Sequence, residues 1–204
     1  MAHLILRLTM PLWLALGVGS ALADQICATP HQAKQVRDYY AEHPGGMPPV
    51  VATRLQLPEA VVVSGLPADQ AVSAPGVDFP EIWAAMTEWE HATFLIMKGA
   101  NVFEISSAVG EGTPSTRSDY YNIAYTHPLR GHLRPDLYAS VYAVALPGPD
   151  GAMVRGVLFY DDQGASVFGA FISGEGPTAS AEELAKFDQV MDLVRSKESV
   201  CRRS

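Results

Sequence analysis

A run of short segments after Glu90 constrains the fold of this chain more than any other feature of its sequence. Each segment is rich in β-branched and aromatic residues, and Gly, Pro, Asp or Asn separates it from the next, which is typical of strands joined by turns. The segments read ATFLIMK, NVFEIS, YYNIAYT, RGHLR, LYASVYAVAL, MVRGVLFYD and ASVFGAFIS. Because strand follows strand without an intervening helix, the sequence predicts about seven strands in an antiparallel sheet.

Helices are predicted before this run. Residues 30–42 begin with a proline and end at HPGG, which are helix start and stop signals. Two short helices are predicted over 48–55 and 58–64, although the three valines of the second segment would equally suit a strand. The segment PADQAVSAPGVDFP is predicted to be a loop, and PEIWAAMTEWE after it a short helix.

The chain is predicted to close with a helix over residues 180–197. Ser180 and Glu183 have the spacing of a capping box at its start. The predicted buried stripe consists of Leu184, Phe187, Met191 and Val194. Helices, then a run of strands, then a helix indicate an α+β fold with N-terminal helices and a C-terminal helix, in one domain over residues 24–204.

Residues 1–23 are predicted to be a signal peptide. Arg7 precedes the apolar run LTMPLWLALGVGSALA, which is too short for a comfortable membrane span and ends in a small-x-small cleavage pattern. We expect cleavage after Ala23, export to the periplasm and no stable membrane span in the mature chain. The alternative is an anchor that is not cleaved.

The chain contains two cysteines, Cys27 and Cys201, one near each end of the predicted mature chain. In an oxidising compartment an even pair suggests a disulfide, and this one would tie the two ends of the domain together. Two unrelated free thiols remain the alternative. Neither cysteine lies in a CxxC pattern, so a metal or nucleophile role is not indicated.

Charge and motifs exclude several classes of function. The formal net charge is −8, and the chain has no basic stripe of the kind that nucleic-acid binding requires. The sequence contains no G-x-S-x-G nucleophile elbow, no P-loop and no H-E-x-x-H zinc motif. These absences favour a binding or carrier protein over an enzyme.

Residues 119–138, DYYNIAYTHPLRGHLRPDLY, concentrate tyrosine, histidine and arginine. Strand alternation places Tyr120 and Asn122 on one face of a strand, and His132 and Arg134 on one face of the next. Such a pair of strands would present a phenol, an imidazole and a guanidinium around an apolar surface. A porphyrin with propionates would use those groups, since Tyr or His ligates iron and Arg binds carboxylate. The same residues are also common in ordinary strands, so both interpretations remain open here.

The sequence resembles the ChuX/HutX family of haem-utilisation carriers from about residue 49 to about residue 195. The resemblance is carried by VVATRLQLPEAVVVSGLP, IWAAMTEWEHAT, FEISSAVGEG, DYYNIA, RGHLRPDLYASVYAV and GVLFYDDQGASVFGAFISGE. The strongest matches are Trp83 with Glu88 and Trp89, Tyr120-x-Asn122, Gly131-His132, and Phe159 through Gly164.

This resemblance implies a large curved antiparallel β-sheet with helices at its ends, a homodimer, and b-type haem bound as cargo. It implies Tyr120 and His132 as iron ligands, one on each side of the ring, and Arg130 or Arg134 as partners of a propionate. Relatives can have a histidine where this chain has Met97, which is a soft ligand or a core residue.

Two classes of function follow. The first is an exported haem-binding protein that carries or stores haem for iron acquisition, with another haem-uptake protein as a partner. The second is a non-enzymatic periplasmic relative that has lost haem and binds another small apolar ligand or a protein. The segment GAFISGE favours the second, because it lacks the basic residues of the family pattern. An enzyme acting on haem is a weaker third option, since no residues are obviously arranged for acid–base chemistry.

Overall fold

The computed structural model describes residues 26–148, 150–173 and 179–201. The predicted signal peptide lies outside these residues. The helices are α1 Pro30–Glu42, α2 Pro48–Leu55, α3 Glu59–Ser64, α4 Phe79–Met86 and α5 Ala181–Ser196. The strands are β1 Ala71–Pro75, β2 Ala92–Lys98, β3 Asn101–Ser107, β4 Gly112–Pro114, β5 Tyr121–Ile123, β6 Gly131–Leu133, β7 Ser140–Pro147, β8 Met153–Tyr160 and β9 Ser166–Ile172.

The strands form two antiparallel sheets. The large sheet has six strands in the order β1-β7-β8-β9-β2-β3, and the small sheet has three in the order β4-β5-β6. All neighbouring strands run antiparallel. The tight β8–β9 turn contains Gly164 at φ 71°, a conformation that favours glycine. The predicted α+β class with a large antiparallel sheet is therefore confirmed.

Strand β1 lies where the sequence predicts a loop, so that prediction is wrong. The segment consists of small residues and ends in Pro75, which are turn signals when read alone. In the structure it pairs with β7 from Ala71↔Val144 to Pro75↔Ser140 and forms one edge of the large sheet. Proline is tolerated in an edge strand, because such a strand pairs on one side only and the missing N–H breaks no hydrogen bonds to a second neighbouring strand.

The predicted helices agree closely with the structure, and the valine-rich segment is helical. The exception is α4, which ends at Met86 instead of continuing to residue 90. The hydroxyl of Thr87 donates to the carbonyl of Ala84 at 2.7 Å, a local bond that competes with further helix. Ser180 and Glu183 form the predicted capping box at the start of α5. Of the residues predicted to form its buried stripe, Phe187, Met191 and Val194 are buried and Leu184 is half-buried. Val190 is buried as well.

Two hydrophobic cores cover the two faces of the large sheet. Alternation along β7 shows the division, because Val141 and Ala143 belong to one core and Tyr142 and Val144 to the other. The first core, called here the α4 core, packs α4, α5 and the small sheet against the large sheet. The second, called here the helical core, packs α1, α2 and α3 against the opposite face.

The two ends of the described chain meet beside the helical core. The Cα atoms of Cys27 and Cys201 are 5.5 Å apart and their sulfur atoms 2.08 Å apart. This Cα separation is one that a disulfide requires. Within the described ranges, no helix combines the length and hydropathy that a bilayer crossing needs.

Candidate functional site

Strand β5 has one buried face and one open face. Tyr121 and Ile123 are buried in the α4 core. Tyr120 and Asn122 alternate with them and therefore point away from the core. Tyr120 is 43% exposed. The predicted placement of Tyr120 and Asn122 on one face is confirmed, and this face is called here the outer face of the small sheet.

Helix α4 holds the small sheet in place. The ring of Tyr121 meets Phe79 edge-on, with centroids 5.2 Å apart, and the indole of Trp83 donates to the carbonyl of Gly110 at 3.0 Å. A Cβ at Gly112 would lie 2.1 Å from a ring carbon of Tyr121, so a glycine at this position is what allows β4 to lie so close to the ring. These contacts anchor the buried side of the strand and leave its other side free for a ligand.

His132 lies directly opposite Asn122 in the β5–β6 pairing. Its Nδ1 is 2.7 Å from Oδ1 of Asn122. An amide oxygen only accepts hydrogen bonds, so Nδ1 of His132 carries the proton and donates. In the neutral ring this leaves the lone pair on Nε2, which is then available to a metal or to a proton.

Tyr120 and His132 lie side by side on the outer face. Their ring centroids are 5.8 Å apart with an angle of 61° between the planes. This distance is typical of aromatic rings in direct contact, so no third ring fits between them. The structure thus brings the two predicted ligands together with their rings in contact, which does not leave the space between them that ligation from both sides of a haem, as the resemblance implies, would need.

Arg134 lies next to Tyr120 but is already engaged by carboxylates. Its guanidinium donates to both oxygens of Asp136, at 2.8 and 2.6 Å, and lies 3.7 Å from Asp119. These hydrogen bonds lower the pKa of Asp136 below its ordinary value. The same guanidinium lies 5.6 Å from the centre of the Tyr120 ring. Arg134 is therefore better placed to hold the loop and the tyrosine than to bind a propionate.

Arg130 is the freer of the two predicted arginines. It is exposed and lies 5.5 Å from the centre of the Tyr125 ring. Within residues 26–148, 150–173 and 179–201, no carboxylate lies within 4.0 Å of its guanidinium. The Tyr125 ring is itself largely exposed, so this pair offers a cation beside an apolar surface.

Met97 is not part of this site. It lies on β2 of the large sheet and lines a narrow cleft with Leu95, Leu158 and Met47, on the side that the helical core occupies. Tyr120 and the small sheet lie on the side of the α4 core. As an iron ligand beside Tyr120, Met97 is therefore excluded by the opposite direction of its side chain.

A second titratable cluster lies in the helical core, and sequence reasoning did not find it. The hydroxyl of Tyr160 on β8 donates to Oε1 of Glu59 on α3 at 2.9 Å. Burial raises the pKa of Glu59 to about 7, although the bond from Tyr160 partly opposes this. Glu59 stands in the first turn of α3, where an acid is an ordinary choice, so the sequence carried no signal of the pairing.

The sequence profile described as Haem utilisation ChuX/HutX matches residues 72–190, more than half of the chain. The chain belongs to the ChuX/HutX family. The matched region begins in β1, includes the whole small sheet and ends within α5. The family assignment that the sequence motifs suggested is confirmed, and Tyr120, His132, Arg130 and Arg134 lie within the matched region.

Solved structures, among them one of ChuX, have the same fold. The structure titled "Structure of the Heme Binding Protein ChuX" superposes with a TM-score of 0.69 at 19% identity, covering 79% of this chain and 99% of that one. Protein AGR_C_4470 from Agrobacterium tumefaciens superposes with a TM-score of 0.68 at 26% identity, covering 92% of this chain and all of that one (100%).

The fold also matches part of a longer protein. Apo-PhuS, titled a heme-binding protein from Pseudomonas aeruginosa, superposes with a TM-score of 0.61 at 16% identity. The match covers 96% of this chain but only 52% of PhuS. A search of curated proteins gave no match to this sequence.

Proposed function

We propose that this protein binds haem on the outer face of the small sheet and carries or stores it. The observation that carries the proposal is the contact between Tyr120 and His132 on an open face, with Nδ1 of His132 held by Asn122. Membership of a haem-utilisation family and the resemblance to a structure titled as a heme-binding protein support the choice of ligand.

We assign different roles to the two rings. Ferric haem supplies a Lewis-acidic iron that favours a phenolate ligand, which Tyr120 would provide. His132 stands beside it, and no hydrogen bond among the described residues uses its Nε2, so this atom could accept the phenol proton of Tyr120. The resulting imidazolium would donate to Asn122 through Nδ1 and to the phenolate through Nε2, so both of its protons would be satisfied.

The propionates and the porphyrin edge need other groups. Arg130 has no carboxylate partner within the described residues and is our candidate for a propionate. Arg134 would stay with Asp136 and keep its cation beside the Tyr120 ring. The exposed ring of Tyr125 would cover part of the porphyrin.

A haemin titration of the purified protein, followed at the Soret band, tests the proposal. We expect saturable binding by the wild type and a large loss of affinity in Tyr120→Phe, because phenylalanine cannot ligate iron. His132→Ala should also weaken binding, because the phenol of Tyr120 loses the neighbouring group that we propose as the acceptor of its proton. His127→Ala is a matched control, since His127 is exposed in the same segment.

Absence of saturable binding by the folded wild type would contradict the proposal and favour a family member that binds another ligand. Equal binding by Tyr120→Phe and wild type would show that Tyr120 is not the iron ligand. If His132→Ala alone abolished binding and the ligand spectrum were that of an imidazole, His132 would be the iron ligand and the assigned roles would be wrong.

We further propose that the protein is exported to the periplasm and that Cys27 and Cys201 form a disulfide there. The signal-like residues 1–23 and the 5.5 Å separation of the two Cα atoms support this. Mass spectrometry of protein isolated from its native compartment under non-reducing conditions tests both points. An N-terminus at residue 1, or two free thiols, would contradict them.

We also propose a homodimer. Strand β3 is an open edge of the large sheet, and Val102 and Phe103 on it are both exposed. Consecutive strand residues point to opposite faces, so both faces at this edge carry apolar surface that a second copy would cover. Light scattering should give twice the monomer mass for the wild type and the monomer mass for Phe103→Asp. A monomeric wild type would contradict this assignment.

A further inference from the structure

A second cavity lies on the opposite side of the large sheet from Tyr120 and His132. Its volume is about 270 Å³, close to the lower end of the range for small-molecule sites, about 300 Å³. It opens between α1, the loop after α1, the segment before β1 and the end of β7. It is called here the α1 pocket, and it is not part of the proposed haem site.

The walls of the α1 pocket are mainly apolar. Tyr40 and Leu66, both members of the helical core or packed against it, form part of the lining. Three prolines, Pro44, Pro67 and Pro147, complete much of the remaining surface. Proline and aromatic side chains are rigid, so such a pocket can bury an apolar ligand without ordering flexible side chains first.

The lining of this pocket also includes Arg37 and Gln70, which have polar side chains. Arg37 makes one long contact, from Nη1 to the carbonyl of Gly65 at 3.5 Å. In the described part of the chain, no carboxylate lies within 4.0 Å of its guanidinium. The backbone of Gln70 is bonded within the fold, to Pro67 and Ala145, and no hydrogen bond among the described residues uses its side-chain amide.

We propose that the α1 pocket binds a small monocarboxylate with an aromatic or aliphatic body. The apolar walls would bury the body, and Arg37 would pair with the carboxylate through two parallel N–H donors. Gln70 would supply a further donor through its amide. The positive charge of Arg37 disfavours a cationic ligand, and a neutral apolar ligand would gain no charge-assisted bond from its guanidinium.

The test uses two probes with the same carbon skeleton, 4-phenylbutyrate and 4-phenylbutan-1-ol. Each is titrated into the ¹⁵N-labelled protein, and amide shifts are followed by NMR. We expect saturable shifts around Gly45 and Gln70 with a Kd of about 0.1–1 mM for the carboxylate, the range for a ligand of this size. The alcohol should bind about tenfold more weakly or worse, because it cannot accept charge-assisted bonds from Arg37.

Three variants show whether binding depends on Arg37 and on the open volume of the α1 pocket. Arg37→Gln should remove the preference for the carboxylate, whereas Arg54→Gln, an exposed arginine of α2 outside the lining, should retain it. Ala41→Leu should occlude the pocket for both probes; Ala41 is exposed on α1, so the fold should tolerate the larger side chain. Haemin binding should be the same in all three variants, so failure here is distinguishable from failure of the haem proposal.

The proposal is overturned if neither probe binds saturably, or if both bind with equal affinity. It is also overturned if the shifted amides lie away from the α1 pocket, or if Arg37→Gln keeps the preference for the carboxylate.

Discussion

Glu59 makes the stability of this protein depend on pH in a predictable direction. The carboxyl lies between α3 and β8, where it accepts a bond from Tyr160, and burial raises its pKa from 4.5 to about 7. Below about pH 4.5 the carboxyl is protonated in both the folded and the unfolded chain. Between about pH 4.5 and 7 the unfolded chain has released this proton while the folded chain still holds it, so rising pH favours unfolding.

The magnitude follows from the two pKa values. The difference between 4.5 and about 7 corresponds to about 3 kcal/mol of unfolding free energy, lost as pH rises through this window. Glu59→Gln keeps an oxygen that can accept from Tyr160 and removes the titration. The free energy of unfolding of Glu59→Gln minus that of the wild type should therefore rise by about 3 kcal/mol between pH 4.5 and pH 8.

Urea denaturation at several pH values measures this difference, and other titrating groups cancel because both proteins contain them. Glu88→Gln is a control for the removal of a surface carboxylate, since Glu88 is exposed just after the end of α4. If the unfolding free energies of wild type and Glu59→Gln change in parallel from pH 4.5 to 8, the pKa of Glu59 is not raised by burial. If the unfolding free energy of Glu59→Gln minus that of the wild type falls as pH rises, the predicted direction of the pKa shift is wrong as well.

Three further predictions concern the disulfide, the glycine beside α4 and the haem site. Reducing the proposed bond between Cys27 and Cys201 should lower the free energy of unfolding by about 2–5 kcal/mol, and urea titrations with and without reductant should therefore differ in midpoint. Gly76→Ala should destabilise the fold by on the order of 3 kcal/mol, because a Cβ there would lie 1.8 Å from the carbonyl oxygen of Tyr138; an unchanged thermal midpoint would contradict this. Asn122→Ala should weaken haem binding about tenfold or more, because the imidazole loses the acceptor that fixes its proton; equal Soret titrations would show that this hydrogen bond is not used.

The sequence predicts the large sheet well because its signals are local. Strand β2 begins and ends at the residues of the segment ATFLIMK, and the helix over residues 30–42 has the observed bounds. Alternation also places Tyr120 and Asn122 on the open face of β5. Each of these features depends on residues within a few positions of one another, so a single sequence is enough to find them.

The features that the sequence does not reveal depend on partners distant in the chain. Strand β1 exists because β7 supplies its hydrogen bonds from about 70 residues away. The direction of Met97 depends on which core faces each side of β2, and composition does not specify this. Arg134 and Asp136 are close in sequence, but two charged residues at this spacing form an ion pair only where the backbone turns. The short helix Pro135–Leu137 provides that turn.

The closeness of residues 27 and 201 has a consequence for how this architecture can be built. Residues 27 and 201 lie within the reach of a short linker, and the β8–β9 turn has exposed residues at 162 and 163. A circular permutant that joins the old ends and opens at this turn would keep every strand beside its present neighbours. In such a molecule α5 would precede α1 in the chain, and its folding would show that the layers do not depend on the order in which the elements are synthesised.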